Sequence, residues 1–200
     1  LHTYLGPMRG ERLTLHLEGQ HSGAVLAWKK FFPGQPVPQL ISFVEDRDLW
    51  RFALPDSREI SAWLASYEKD FDVWDNLSDT LEKHREDAVI EGGAILRAKQ
   101  QEVVRIASTM TMREWVAGDE GQPDRTLVQI PTVNSSVHVS EIGEHLCLEF
   151  PEAPFAAIYC DRKGRREWGV RTQRDDVDVS KIAKRYGGGG HQKAAGWITD

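Results

Sequence analysis

Residues 186–196 read Tyr-Gly-Gly-Gly-Gly-His-Gln-Lys-Ala-Ala-Gly. Four consecutive glycines remove every Cβ over Gly187–Gly190, so the backbone can take positive φ and approach a ligand closely. Exposed N–H groups in such a loop form an anion nest, more so where a helix N-terminus follows. The His191 ring can donate to a phosphate oxygen, and Lys193 adds a positive charge nearby. Ala194, Ala195 and Gly196 are small enough for a brief helical turn to press against a sheet. A bare glycine run is ordinarily a flexible linker. This one lies between an expected helix, Val179–Tyr186, and an expected strand, Gly196–Thr199, and its histidine and small residues serve no purpose in a linker.

Upstream of the glycines the pattern is that of a small mixed sheet. Trp115–Ala117 and Thr126–Ile130 read as strands around a turn-forming Gly118–Asp124 segment. Ser135 or Ser136 can cap a helix that runs to Phe150. Phe155–Cys160 and Glu167–Thr172 are strands joined by a hairpin loop, Asp161–Arg165. Helices and strands mixed in one small lobe give an α/β sheet domain, placed at 110–200. Ten basic residues against five acidic ones between Asp161 and Lys193 make that stretch net +5 and leave −11 on the rest. A basic patch on an acidic protein suits an anionic ligand bound at one place, while a solvated hairpin and helix face is the plain alternative.

The first half has a helical rhythm. Residues 12–17, Arg-Leu-Thr-Leu-His-Leu, alternate as a short strand. Ser22 caps a helix through Phe31 that stops at Phe32-Pro33-Gly34, and Pro36 and Pro38 open the next, with Leu40, Ile41, Phe43 and Val44 as its apolar face. Helical segments follow near 57–67 and 70–76. The stretch from Ser78 to about Ser108 reads as one long helix interrupted by Gly92 and Gly93, and 78–109 is assigned as a linker helix between two lobes. Trp28, Trp50, Trp63 and Trp74 are candidate core or lobe-interface anchors.

Composition sets limits. A chain of 200 residues with 40% hydrophobic and 28% charged residues has the balance of a folded globular protein and can bury one or two cores. Its apolar runs are too short to span a bilayer, and no basic-then-apolar leader opens it. Cys147 and Cys160 are the only cysteines, which excludes a disulfide scaffold and a cysteine zinc site and fits a reducing, cytoplasmic setting. The chain begins with Leu1 rather than Met, which is expected of a processed protein or of a piece of a longer one.

The run Gly-Gly-Gly-Gly-His-Gln-Lys-Ala-Ala-Gly closely resembles the signature of the DHHA1 domain, the C-terminal substrate-binding lobe of DHH-family phosphoesterases. Arg171 and the run Asp178-Val179-Ser180-Lys181-Ile182-Ala183 are similar to the approach to that signature. The resemblance covers roughly residues 110–200. It implies that this lobe binds the terminal phosphate and base of a short nucleotide chain, with Gly188, Gly189, Gly190 and His191 at the matching positions and Arg171 as a phosphate ligand. Asn134 is a candidate base or sugar contact, with a helix-start turn residue as the equal alternative. Residues 1–77 resemble the end of the catalytic DHH domain. That resemblance implies a late metal ligand within Glu45–Trp50, with Asp46 favoured, Asp48 the rival, and helix capping or pairing with Arg47 and Arg51 the alternative. His21-Ser22-Gly23-Ala24 reads as the start of a packed helix rather than part of a site.

No Asp-His-His triplet and no earlier His-x-Asp-x-Asp occur, and His2, His16 and His21 rebuild neither. The resemblance places those ligands before Leu1. In the family two divalent ions, usually Mn²⁺, activate water for in-line attack on phosphorus. The expectation is therefore a Mn²⁺-dependent phosphohydrolase of which this chain binds substrate but barely cleaves. Nano-RNA or a linear dinucleotide is the first substrate class, and a cyclic dinucleotide or 3′-phosphoadenosine 5′-phosphate the second. The competing reading is a non-catalytic binding module, because the lobe also resembles the C-terminal domain of some alanyl-tRNA synthetases, which contacts RNA. A nucleotide partner is expected, a membrane is not, and a homodimer stays open.

Overall fold

A computed structural model describes residues 20–117 and 126–200. The alternating strand over 12–17, the Gly118–Asp124 turn, His2 and His16 lie outside the described residues. The fold is α/β, with a mostly helical first half and a mixed sheet in the second. The chain divides into two compact units, Leu1–Leu96 and Arg97–Asp200, and the division falls inside one long helix.

The first unit is helical. The helices are α1 (Gly23–Phe31), α2 (Gln39–Asp48), α3 (Ser57–Ala65), α4 (Phe71–Lys83) and the start of α5 (Arg85–Ala107). Side chains set the boundaries: Ser22 Oγ accepts from Val25 N–H at the start of α1, and Asp70 accepts from Asp72 and Val73 at the start of α4. Leu40, Phe43, Ile60, Trp63, Leu64, Leu77, Leu81 and Ala88 form one apolar core. Of the four candidate tryptophan anchors, only Trp63 sits in this buried set, and Trp74 packs at its edge.

The long helix differs from expectation. It is not continuous from Ser78, because His84 adopts φ −141° and ψ 42° and separates α4 from α5. Gly92 and Gly93 do not interrupt it, for α5 runs unbroken through both. Gly92 has another use: a Cβ there would lie 2.0 Å from the Glu59 carbonyl oxygen, so its absence lets α5 lie directly against α3.

The second unit is a six-stranded sheet in the order β1-β2-β3-β4-β6-β5. Its strands are β1 (Thr111–Ala117), β2 (Thr126–Asn134), β3 (Ala156–Arg162), β4 (Arg165–Arg171), β5 (Gly189–Gly190) and β6 (Ala194–Thr199). All pairs are antiparallel except β2 and β3, which α6 (Val139–Glu149) joins as a parallel crossover. Alternation along β3 sends Ala156 and Ile158 to one face with α6 and the end of α5, and Ala157 to the other with α7 (Val179–Arg185). Two cores result, one on each side of the sheet.

Three local expectations are corrected here. The residue capping α6 is His138, held at φ 52°, and Ser135 instead bonds the backbone of Val137. The β3–β4 turn needs only Lys163 and Gly164, at φ 50° and 79°, the positive pair that a tight hairpin takes. Ala194 and Ala195 belong to strand β6 and not to a helical turn.

Candidate functional site

The glycine run is built into the fold from both ends. Gly187 N–H donates to Lys184 C=O and Gly188 N–H to Ala183 C=O, with Gly187 at φ 73°, which is the left-handed stop that ends α7. A Cβ on Gly188 would lie 2.1 Å from the Gly196 carbonyl oxygen and 2.5 Å from Trp197 Cβ, so the chain there presses onto β6. Gly189 and Gly190 form β5, paired with Gly196 and Ala195. The expected anion nest at a helix N-terminus is therefore replaced by a hairpin, because no helix follows the glycines. The N–H groups of Gly188 and His191 are used inside the fold, the latter on Ala194 C=O at 2.8 Å. Gly189 alone of the three candidate glycines meets nothing where a Cβ would stand.

The turn that follows is pinned to its neighbours. Thr172 N–H donates to Lys193 C=O and Val179 N–H to Gln192 C=O. Lys193 Nζ bonds Asp175 Oδ1 at 2.7 Å and the Gln173 carbonyl, so its charge is already paired. The His191 side chain stands exposed at the tip.

Arg171 closes β4 opposite Ala194, on the strand that carries this turn. Its side chain lies beneath α6, where a Cβ on Gly143 would meet Arg171 Cγ at 2.4 Å. The guanidinium donates to the Val170 carbonyl at 2.9 Å and to Ser140 Oγ at 3.0 Å, both neutral oxygens. Burial pushes its pKa down, and the charges of Glu141 and Cys147 act the other way. Asn134 is exposed at the end of β2 in register with Tyr159, three residues along β3 from the position that faces Arg171, a step of roughly 10 Å. The sheet thus brings Arg171 and the glycine turn onto neighbouring strands, with Asn134 further along. A groove between the start of α6 and the sheet is lined by Ser135, Val139, Gly169, Glu167 and Arg162 among others.

Asp46 belongs to the other unit and is buried. Its carboxylate accepts from Ala53 N–H at 3.0 Å and Leu54 N–H at 3.1 Å. Burial raises its pKa, but the Ser57 hydroxyl, those two N–H groups and the Arg51 charge together bring it below the ordinary carboxylate value. Beside it, Glu45 accepts from Ser22 N–H at 2.7 Å and pairs with His21. His21 and Ser22 therefore anchor a packed helix, as expected. Asp48 is an exposed residue at the end of α2.

No family model matches the chain. An uncharacterized protein of Acanthamoeba polyphaga mimivirus is 28% identical over 189 residues, covering 88% of this chain and 41% of the relative. Oligoribonuclease NrnB of Bacillus subtilis is 44% identical over 69 residues, covering 34% of this chain and 17% of the relative. The chain is similar to both of these relatives. It spans less than half the length of these curated relatives. Among solved structures, it is similar to a pGpG-specific phosphodiesterase, PggH, from Vibrio cholerae, at 9% identity and TM-score 0.44 over 87% of this chain and 66% of that one. It is similar also to the DHH domain of a member of the s1p family of ribosomal proteins, at 16% identity and TM-score 0.44 over 77% and 38%.

The DHH phosphoesterases that the sequence resembles are generally metal-dependent, and a metal needs several ligands converging on one point. Among the described residues no group of three or more His, Cys, Asp or Glu side chains converges on one point. Both Asp46 oxygens already accept backbone N–H groups. One carboxylate used in this way does not make a divalent centre, and the described residues do not fit one. The sequence motif also gives no hint of Ser140 and Gly143, which act on Arg171 from across the sheet. Their only signal is small size on the inward face of α6, and it becomes readable once Arg171 is placed beneath that helix.

Proposed function

We propose that the protein is a phosphoesterase acting on short oligonucleotides or small nucleotides, and that this chain supplies its substrate-binding side. In this reading residues 110–200 are the substrate-binding domain, 78–109 the linker segment, of which α5 is the continuous helix, and 1–77 the C-terminal part of a DHH-like catalytic domain. The observation that carries it is Arg171. The hydrogen bonds of this half-buried guanidinium go only to neutral oxygens, and the Glu141 carboxylate acts on it through space without bonding it, so N–H donors remain for an incoming phosphate. His191, exposed on the pinned turn beside β6, supplies a second donor. Gly189 leaves room for the phosphate to come close to the backbone. Asn134 is assigned to the base or sugar. The metal, Mn²⁺ by family resemblance, is assigned to the whole protein, with Asp46 as the favoured candidate ligand from this chain and Asp48 as its rival. No step is derived through it.

The chemistry left to these residues is binding and orientation: Arg171 and His191 fix the terminal phosphate and so favour short substrates. Anisotropy titration with a 5′-phosphorylated diadenylate tests this. His191→Ala removes one charge-assisted contact, of about 1.5–3 kcal/mol, and weakens binding roughly tenfold or more. Salt dependence should be shallow, as for one or two phosphate contacts. Unchanged affinity in the variant would leave His191 a structural residue. A steep salt slope would favour the non-catalytic RNA-binding module. Mn²⁺-dependent cleavage of the dinucleotide by this chain alone would overturn the reading that it binds without cleaving.

A further inference from the structure

Among the described residues, α7 covers only part of the sheet face on which it lies. α7 has seven residues and shields Phe155, Ala157 and Val170. Beyond it the same face presents an aromatic row. Tyr159 on β3, Trp168 on β4 and Trp197 on β6 are directly opposite one another in register. Ring centroids are 5.3 Å apart for Tyr159 and Trp168 and 5.7 Å for Trp168 and Trp197. Trp115 on β1 touches Trp168 and Trp197 edge-on or tilted, and Tyr186 stacks on Trp197 at 5.0 Å. Tyr186 directly precedes the glycines, so the row starts at the glycine turn and leads away across the strands.

Two arginines lie on the far end of this row. The Arg166 guanidinium is 4.4 Å from the Tyr159 ring centroid and 5.8 Å from that of Trp168, and Arg113 is 5.2 Å from Tyr159. Arg166 is paired with Asp161 at 2.7 Å. Arg113 is exposed and has no carboxylate partner among the described residues. The adjoining hairpin adds Lys163, and also Arg162 and Arg165, which pair with Glu167 at 3.9 Å and with Asp200 at 3.1 Å.

Cross-strand aromatic pairs also stabilise sheets with no ligand at all. That purpose explains Trp197, which is buried under Tyr186 and Trp115. It does not explain half-buried rings placed past the end of the covering helix with the guanidinium groups of Arg113 and Arg166 on them. Alternating aromatic faces and arginines are what unpaired bases and their phosphates bind, in any sequence.

We propose that Arg113, Tyr159, Arg166 and Trp168 form a stacking surface for the unpaired bases of a single-stranded oligonucleotide. The row lies on the face that carries α7, whereas the Arg171 side chain lies on the face that carries α6, so the stacking surface is a site of its own. Stacking on the row does not rest on the proposed phosphate contact of Arg171.

Quenching of tryptophan fluorescence tests it, with a uridylate hexamer lacking a 5′ phosphate, the same hexamer as a duplex with its complement, and 5′-uridine monophosphate, all in EDTA to prevent cleavage. The single-stranded hexamer should bind at least tenfold more tightly than the mononucleotide. Tyr159→Ala should weaken hexamer binding about tenfold and Arg113→Ala severalfold, while Tyr159→Phe keeps it. Mononucleotide binding should be the same in all three variants, which shows that they are folded. His191→Ala should weaken the mononucleotide and spare the unphosphorylated hexamer, so failure of the phosphate site and failure of the stacking surface are told apart. Wild-type hexamer affinity in Tyr159→Ala, or a duplex that binds as tightly as the single strand, would overturn the proposal.

Discussion

Replacing Asp46 separates a structural carboxylate from a metal ligand, and the structure sets the size of the effect. The chain leaves α2 through Trp50 and Phe52, which sit at φ 53° and 48° in the left-handed region, an unfavourable place for bulky residues. What opposes that cost is Asp46. Its backbone carbonyl accepts from Arg51 N–H at 2.9 Å, and its carboxylate holds the N–H groups of Ala53 and Leu54. Asp46→Ala leaves two part-buried donors without an acceptor. Each costs about 1–3 kcal/mol when fully dry, and water reaches this turn, so a total of about 2–4 kcal/mol is expected. For a chain of this size that lowers Tm by roughly 5–15 °C. Asp46→Asn keeps one acceptor oxygen and should fall between. The loss should depend on pH. The folded pKa lies below the unfolded one, so the carboxylate's contribution is fully present above the unfolded carboxylate value of about 3.9 and disappears as pH falls through the lower folded value. The gap between wild type and Asp46→Ala should therefore be widest near neutrality and close on acidification below about pH 4. Thermal unfolding followed by circular dichroism from pH 3 to 8, without added metal, measures both. An Asp46→Ala protein melting within 1 °C of wild type at pH 7 would show that the turn does not depend on this carboxylate.

Two glycine substitutions probe close packing in each unit. Gly92→Ala puts a methyl 2.0 Å from the Glu59 carbonyl and 3.0 Å from Trp63 Cβ. The roughly 1 kcal/mol gained in helix propensity should be outweighed by the forced separation of α5 from α3, for a net loss of about 1–3 kcal/mol in urea unfolding. A stabilised Gly92→Ala would mean that the helices do not approach so closely. Gly188→Ala collides with the Gly196 carbonyl and Trp197 Cβ, so it should displace the glycine turn and lower nucleotide affinity as well as stability. Gly189→Ala meets nothing and should leave the melting temperature within about 1 °C. Equal behaviour of the two variants would contradict the hairpin geometry.

The sequence shows its elements where a local signal is strong. Ser22 caps α1 and Pro38 precedes α2, because capping and proline chemistry act within one turn of helix. The alternating strands 156–162 and 165–171 are visible for the same reason: burial repeats every second residue. What escapes a local reading depends on distant partners. Gly92 and Gly93 look like helix breakers, but Gly92 is kept for Glu59, some thirty residues earlier in the chain. His84 carries no breaker signal, yet the helix stops there. Arg171 can be picked out by its resemblance to a motif, but the fact that it bonds only neutral oxygens depends on Ser140 and Val170. The aromatic row stays hidden because Tyr159, Trp168 and Trp197 align only when three strands are set in register.

The glycine run shows how a binding motif and a folding motif can be the same residues. Read alone, four glycines suggest a cradle of N–H groups around a phosphate. In the fold, Gly187 stops α7, Gly188 lies against β6, and Gly190 at φ 146° turns the chain beside Ala194 and Ala195. Three of the four are therefore required before any ligand arrives. Since the N–H groups of Gly188 and His191 are internally bonded, they cannot also serve an anion without breaking a backbone hydrogen bond. The charge that attracts phosphate must then come from side chains. Lys193 is paired with Asp175, whereas Arg171 bonds only the neutral oxygens of Val170 and Ser140, with the Glu141 carboxylate acting on it through space. In the proposed site the glycines act by shape, setting β5 against β6 and holding the His191 turn beside it.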